Sequence, residues 1–281
     1  MRPAVFLDRD GTITKYKDFI TDLGQLELEA GAAKGIKILN NFGFKVIVVT
    51  NQPQVARGMC TEADVEKINR SMTELLEKEG AHIDAIYFCP HHPERNHPDI
   101  PPQALKYRID CECRKPNAGM LQDGAKKFNI ALERSFMVGD TTVDLEAGRK
   151  AGCATILVKT GKAGSDGKHS AKADYVADNL ENAAKIITMR GVKGVILAGG
   201  RGERLRPFTD TMPKPMLQIG EKPVLEHQIN SLRKSGIAEI IILGSYLIEK
   251  IKEYFGAGER FGVRIEYPQE LEQLGTGGAI K

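Results

Sequence analysis

Short apolar runs alternate with longer stretches of helical period along the first two thirds of the chain. Val46-Ile47-Val48-Val49 is uninterrupted, as a strand buried on both faces requires. The pattern predicts strands at Ala4–Leu7, Lys45–Val49, Ala85–Phe88, Phe136–Val138, Thr155–Val158 and Tyr175–Val176. Between them, apolar positions return every three or four residues near Ala32–Asn41, Glu62–Lys78, Ala118–Phe128 and Val143–Ala151, which predicts helices. This alternation predicts an α/β fold with a parallel sheet. A second α/β start follows: strand Gly194–Leu197, a glycine-rich loop, helix Val224–Arg233, strand Glu239–Leu243, helix Ile248–Phe255 and strand Val263–Tyr267. A helix at Leu180–Met189 closes the first pattern. The expected boundary lies near Arg190–Gly191, giving domains 1–190 and 191–281 joined by a very short linker. Gly161–Lys168 reads as a polar loop inside the first domain.

Composition agrees with this division. A length of 281 residues suits two domains. Hydrophobic residues make up 41% and charged residues 27%, which excludes a disordered, collagenous or disulfide-scaffold chain. No stretch approaches the roughly 20 apolar residues of a membrane-spanning helix. Asp8 comes too early for a signal peptide, so the expected location is cytoplasmic. The 40 basic and 37 acidic residues are spread over both domains without a basic block. That pattern argues against nucleic acid or a membrane surface as partner. The five cysteines are more telling, because Cys89, Cys111 and Cys113 cluster. Clustered cysteines in a reducing compartment point to metal or catalysis before disulfides.

Phe6-Leu7-Asp8-Arg9-Asp10-Gly11-Thr12 places two carboxylates just past the first strand, where open α/β sheets carry their active crevice. Strand 2 ends in Thr50-Asn51, Lys115 follows a cysteine pair, and strand 4 ends in Gly139-Asp140 with Asp144 four residues on. Together these supply what phosphoryl transfer needs. One carboxylate attacks phosphorus and a second moves the proton of the leaving oxygen. A lysine and a hydroxyl hold phosphate oxygens, and a further acid helps to hold Mg²⁺. The ordered set resembles the haloacid dehalogenase superfamily of aspartate-nucleophile phosphatases, over about residues 1–188. That resemblance implies a Rossmann-like parallel sheet. It implies Asp8 as nucleophile and Asp10 as general acid/base, with Thr50 and Lys115 on the phosphoryl group. It also implies Mg²⁺ on Asp8, the main-chain carbonyl of Asp10, and Asp140. Asp144 is either part of that metal environment or a first-turn residue favoured by the helix dipole.

Cys89-Pro90-His91 and Cys111-Glu112-Cys113 form a C-x-H pair and a C-x-C pair around a 19-residue loop. Three thiolates and an imidazole suit a closed, tetrahedral structural Zn²⁺ within loop 89–113. His92 and His97 are rivals for the imidazole, and the spacing favours His91. Cys60 and Cys153 read as packing residues. Arg114 and Lys115 directly follow Cys113, so the metal would fix the backbone that aims Lys115.

Asp-Arg-Asp-Gly-Thr, Thr50-Asn51-Gln52, Cys89-Pro90-His91-His92-Pro93 and Cys113-Arg114-Lys115-Pro116 are similar to the D-glycero-D-manno-heptose 1,7-bisphosphate phosphatases. That similarity implies removal of a 7-phosphate. The histidinol-phosphate phosphatases share the zinc loop and are the alternative. About 40 residues separate strand 1 from Thr50, too few for a folded cap, so the zinc loop and Gln52–Arg57 would shape the pocket. Asn51, Arg57 and Arg114 are the candidate substrate contacts, the two arginines for a distal phosphate. The chain departs from the usual Ser-Gly after Asn-Gln by carrying Pro53-Gln54. Its zinc loop is also longer and richer in proline (Pro98, Pro101, Pro102).

Gly199-Gly200-Arg201-Gly202-Glu203-Arg204-Leu205-Arg206-Pro207 follows the late strand, and Met212-Pro213-Lys214-Pro215 comes soon after. Glycines let backbone N–H groups approach phosphates, while arginine and lysine neutralise them. The segment resembles the N-terminus of the sugar-1-phosphate nucleotidyltransferases. The resemblance implies that Gly199, Gly200, Gly202, Arg204 and Lys214 contact a nucleoside triphosphate. Glu203 stands where that family usually has Thr. Leu274-Gly275-Thr276-Gly277-Gly278-Ala279 resembles the family's later binding loop. The family's Mg²⁺-binding aspartate would lie beyond Lys281, so the expectation is a truncated module that does not catalyse nucleotidyl transfer alone. The competing reading is a transferase whose phosphatase-like half is regulatory.

Overall fold

The computed structural model describes residues 1–94 and 100–268. The chain divides into two compact units, Met1–Ala184 and Lys185–Lys281. The first unit holds six strands: β1 (Ala4–Leu7), β2 (Lys45–Asn51), β3 (Ala85–Cys89), β4 (Phe136–Gly139), β5 (Ala154–Val158) and β6 (Tyr175–Ala177). They form one sheet in the order β3-β2-β1-β4-β5-β6, with every pairing parallel. The four residues of β1 and the run Val46–Val49 of β2 are fully enclosed, which is why these strands carry no polar alternation. The crossovers are α1 (Ala32–Asn41), α2 (Glu62–Lys78), α3 (Gly119–Phe128) and α4 (Thr142–Ala151), and α5 (Leu180–Thr188) follows β6. On α2, Val65, Ile68, Met72 and Leu76 face inward at spacings of three and four. Thr61 starts α2 with a capping box to Asp64, and Thr141 starts α4 with a second one to Asp144.

The chain builds β1, β2 and β3 outward to one side, then returns to place β4 on the other side of β1. A crevice opens at such a reversal, beyond the carboxyl ends of the strands. Asp8, Thr50-Asn51 and Asp140 all occupy that edge, because each ends or follows one of the three central strands.

The second unit contains β7 (Lys193–Leu197), α6 (Phe208–Thr211), β8 (Gln218–Ile219), β9 (Lys222–Pro223), α7 (Val224–Lys234), β10 (Glu239–Leu243), α8 (Ile248–Phe255) and β11 (Arg264–Glu266). Strands β11, β10 and β7 form a parallel sheet in that order. Its core includes Ile196, Leu225, Ile229, Ile242, Ile251 and Phe255. The antiparallel hairpin β8–β9 is not foreseen by periodicity, since two-residue strands carry none; Gly220, at φ +66°, makes its turn. His97, Pro98 and the loop 274–279 lie outside the described residues. Among the described residues, no helix is long and apolar enough to cross a membrane.

Candidate active site

Asp8 follows β1, and its backbone N–H donates to Val138 on the adjoining strand at 2.9 Å. Its carboxylate Oδ1 accepts from Lys115 Nζ at 2.6 Å. The same ammonium donates to Asp144 Oδ1 at 2.6 Å and to the Val49 carbonyl at 2.7 Å, which uses all three of its protons. Lys115 arrives from a loop, so its backbone needs its own anchor. Asn51 supplies it: the Asn51 amide donates to the Lys115 carbonyl at 2.9 Å and accepts from the Lys115 N–H at 3.0 Å. The end of β2 thereby aims the lysine. Thr50 beside it is 1% exposed, and its Oγ1 accepts from Gln52 at 2.8 Å.

Asp140 leaves β4 and is also enclosed. Its Oδ2 accepts from the Lys162 N–H at 2.7 Å, whereas its Oδ1 is buried without a hydrogen-bond partner. Two glycines make this approach possible. A Cβ on Gly161 would stand 2.2 Å from Asp140 Oδ2, and one on Gly11 would stand 2.4 Å from it. Both glycines have positive φ, at +56° and +89°.

Carboxylate oxygens of Asp8, Asp140 and Asp144 all lie within 4.8 Å of one another. Burial raises Asp8 to about 7; Lys115 opposes the rise, and Asp144 and Asp10 add to it. Asp140 rises to about 8, from burial first and then from Asp8 and Asp144. Burial works against the charge on Lys115, but Asp144 and Asp8 prevail and raise it. Three buried carboxylates facing one ammonium leave a surplus of negative charge. A small oxygen-liganded divalent cation fits that surplus, and the unpartnered Asp140 Oδ1 is an available ligand atom. Asp144 both starts a helix and holds the lysine. Its Oδ2 takes the Thr141 hydroxyl at 2.6 Å to start α4, and its Oδ1 holds Lys115.

Asp10 is not part of this cluster but lines the same pocket. Arg9 grips it with two bonds, Nε to Oδ1 at 3.0 Å and Nη2 to Oδ2 at 2.9 Å. No sequence signal assigns a role to Arg9, between the aspartates, and none goes beyond a pocket-shaping segment for Gln52. No periodic signal marks either residue, because their partners come from distant elements.

Cys89 ends β3, and Cys111 and Cys113 come from the loop before α3. Their sulfurs approach to 3.2–3.5 Å, and His91 Nδ1 lies 3.4 Å from Cys113 Sγ and 3.6 Å from Cys89 Sγ. All five cysteines are free thiols. Hydrogen bonding from Cys89, then from Cys111 and His91, pulls Cys113 down to about 5, so one thiolate is already favoured. This donor set is compatible with zinc. His92 is not in the cluster; it lines the main pocket instead. Arg114 bridges the two regions by donating to the His91 carbonyl at 3.0 Å.

That pocket holds about 300 Å³ and includes Asp8, Asp10, Thr50, Asn51, Arg57, His92, Arg114, Lys115 and Asp140. Arg57 stacks over the Phe19 ring at 4.9 Å. Burial, followed by Arg114 and Arg57, pushes His92 down to about 4, so a neutral imidazole lies near two guanidinium groups. In the second unit, Gly202, Arg204 and Lys214 line a separate cavity of about 440 Å³; Gly199 and Gly200 precede it on the loop after β7.

Comparison with known proteins places this geometry. A HAD-hydrolase-like family model matches residues 112–183, and a nucleotidyl transferase model matches residues 193–281. The D-glycero-beta-D-manno-heptose-1,7-bisphosphate 7-phosphatase of Yersinia pestis is 36% identical over 189 residues, covering 67% of this chain and 96% of that protein. The corresponding enzyme of Pasteurella multocida is 37% identical and is matched over its whole length, against 69% of this chain. Among solved structures, the D,D-heptose 1,7-bisphosphate phosphatase of B. bronchiseptica, complexed with magnesium and phosphate, is 30% identical. It superposes with a TM-score of 0.57 over 67% of this chain and 99% of its own.

Proposed function

The chain belongs to the haloacid-dehalogenase-like D-glycero-beta-D-manno-heptose-1,7-bisphosphate 7-phosphatase family, and from that premise we propose that its first unit removes the 7-phosphate of that sugar through an aspartyl-phosphate. The observation that carries the reading is the buried Asp8–Lys115–Asp144 cluster facing the unpartnered Asp140 oxygen. Asp8 attacks phosphorus and the bond from phosphorus to the sugar oxygen breaks. Asp10 gives its proton to that leaving oxygen. A water then attacks the phosphoryl group and Asp10 takes the proton. The bond to Asp8 breaks and inorganic phosphate leaves. Thr50 and Lys115 hold phosphoryl oxygens while charge shifts onto them. Mg²⁺ on Asp8, Asp140 and the Asp10 carbonyl, with Asp144 beside it, would supply charge neutralisation between anionic nucleophile and anionic substrate. Cys89, His91, Cys111 and Cys113 would hold a structural Zn²⁺ that keeps the Lys115 loop in place.

Arg57 and Arg114, with neutral His92 in the same pocket lining, favour a second anionic group on the substrate. A distal phosphate suits that wall, whereas the amine of histidinol phosphate would be repelled by it. Residues 1–190 would constitute the phosphatase domain, and residues 191–281 a nucleotidyltransferase-type domain. Gly199, Gly200, Gly202, Arg204 and Lys214 would meet a triphosphate there. Removing the 7-phosphate leaves a sugar 1-phosphate, the substrate class of such transferases, so the family of the second unit favours the heptose substrate over histidinol phosphate. Phosphate release across heptose 1,7-bisphosphate, histidinol phosphate and other phosphosugars tests the reading. The heptose bisphosphate is expected to have the highest kcat/KM, and preference for histidinol phosphate would overturn that substrate.

A further inference from the structure

Both oxygens of Asp10 are fixed by neighbours. Oδ1 accepts from Arg9 Nε at 3.0 Å and from the Thr14 hydroxyl at 3.1 Å. Oδ2 accepts from Arg9 Nη2 at 2.9 Å and from Gln52 Nε2 at 2.8 Å. Arg9 is itself wholly enclosed, at 0% exposure. Its Nη1 donates to Asn69 Oδ1 on α2 at 2.9 Å, and its Nη2 donates to Gln52 Oε1 at 2.6 Å. The Gln52 amide nitrogen also donates to Thr50 Oγ1 at 2.8 Å. One buried guanidinium therefore ties the loop after β1 to the end of β2 and to the inner face of α2.

Enclosing an arginine is strongly unfavourable unless its donors are satisfied. Here the planar fork meets one carboxylate edge-on and two side-chain amides, a geometry that an ammonium cannot copy. Asn69 is 5% exposed and occupies a position on α2 otherwise given to apolar side chains. A polar residue is required there because the second arm of Arg9 ends on it.

We propose that Arg9, anchored by Asn69 and Gln52, is a positioning residue for Asp10, fixing the plane and reach of its carboxyl toward the leaving oxygen. This rests on Asp10 being the general acid/base of the reaction. A misplaced acid slows departure of an alkoxide, which needs a proton, far more than departure of a nitrophenolate, which leaves without one. The test compares single-turnover phosphoryl transfer to Asp8 from heptose 1,7-bisphosphate and from p-nitrophenyl phosphate, with magnesium present.

Asn69→Leu removes the far anchor while leaving an apolar side chain on a helix. Arg9→Lys removes the fork itself. Both are expected to slow the sugar phosphate about tenfold or more and the aryl phosphate by less than about threefold, with KM little changed. Equal slowing of the two substrates by folded Asn69→Leu protein would overturn the proposal. Asp10→Asn separates this from the underlying reading. A selective loss in Asp10→Asn beside equal slowing in Asn69→Leu removes the positioning role alone. Equal slowing in Asp10→Asn removes the acid/base role, and the positioning role with it.

Discussion

Asp8 is buried, yet it lines the pocket, and Lys115 holds its carboxylate at 2.6 Å. Replacing it by Asn keeps the shape and removes the nucleophile. Phosphate release by Asp8→Asn is expected to fall at least about 1,000-fold, measured at saturating substrate, and an unchanged rate would exclude Asp8 as nucleophile. Lys115→Met has a different consequence, because it leaves two buried carboxylates without their cation. Without magnesium it is expected to lower stability by about 3–5 kcal/mol in urea unfolding. The acid pair also sets a pH dependence. Asp8 and Asp140 ionise near 3.8 when unfolded, but only near about 7 and about 8 when folded. Between those limits the folded chain keeps protons that the unfolded chain has released. The stability these groups contribute without metal therefore falls as pH rises through that window. A cation that needs the ionised oxygens displaces those protons. The gain in Tm on adding Mg²⁺ should accordingly be larger at pH 8 than at pH 6, and equal gains would mean that these carboxylates do not bind it.

At the scale of elements, the described residues between β3 and α3 hold one short 3-10 helix, Pro102–Tyr107, and no strand, yet this segment must deliver Lys115 accurately. Asn51 clamps the backbone at Lys115, and the Cys/His cluster draws the start of the segment, Cys89 and His91, to Cys111 and Cys113 just before Lys115. Metal analysis of purified protein is expected to find about one zinc per chain. Stripping it with a strong chelator, or substituting Cys113→Ser, should lower Tm by about 5 °C or more and reduce phosphate release in parallel. A zinc-free protein with full activity would contradict the assignment. Strand and helix positions of the first unit were legible from periodicity, because burial of β1 and β2 on both sheet faces leaves continuous apolar runs. The hairpin β8–β9 was not, being too short to show a period. Nor were Arg9 and Gln52 as partners, since β1, β2 and α2 meet only after folding.

For the whole molecule, the two units are built on separate sheets and separate cores. The Asp8 site draws every named residue from the first unit. A fragment of residues 1–190 is therefore expected to release phosphate within about twofold of the full chain. A loss beyond tenfold would show that the phosphatase depends on the second unit. Local sequence marked the candidate groups: two aspartates after a strand, a lysine after paired cysteines, and a late Gly-Asp. Those groups are short-range features of strand ends and ligand spacing, readable one segment at a time. Tertiary structure decided how they are held. It put Asp144 and Asp8 on one ammonium, left an Asp140 oxygen without a donor, set His91 among the cysteines and its rival His92 in the pocket lining, and enclosed Arg9 behind Asp10. Each depends on distances between segments far apart in the chain, which strand order and burial fix and local pattern does not.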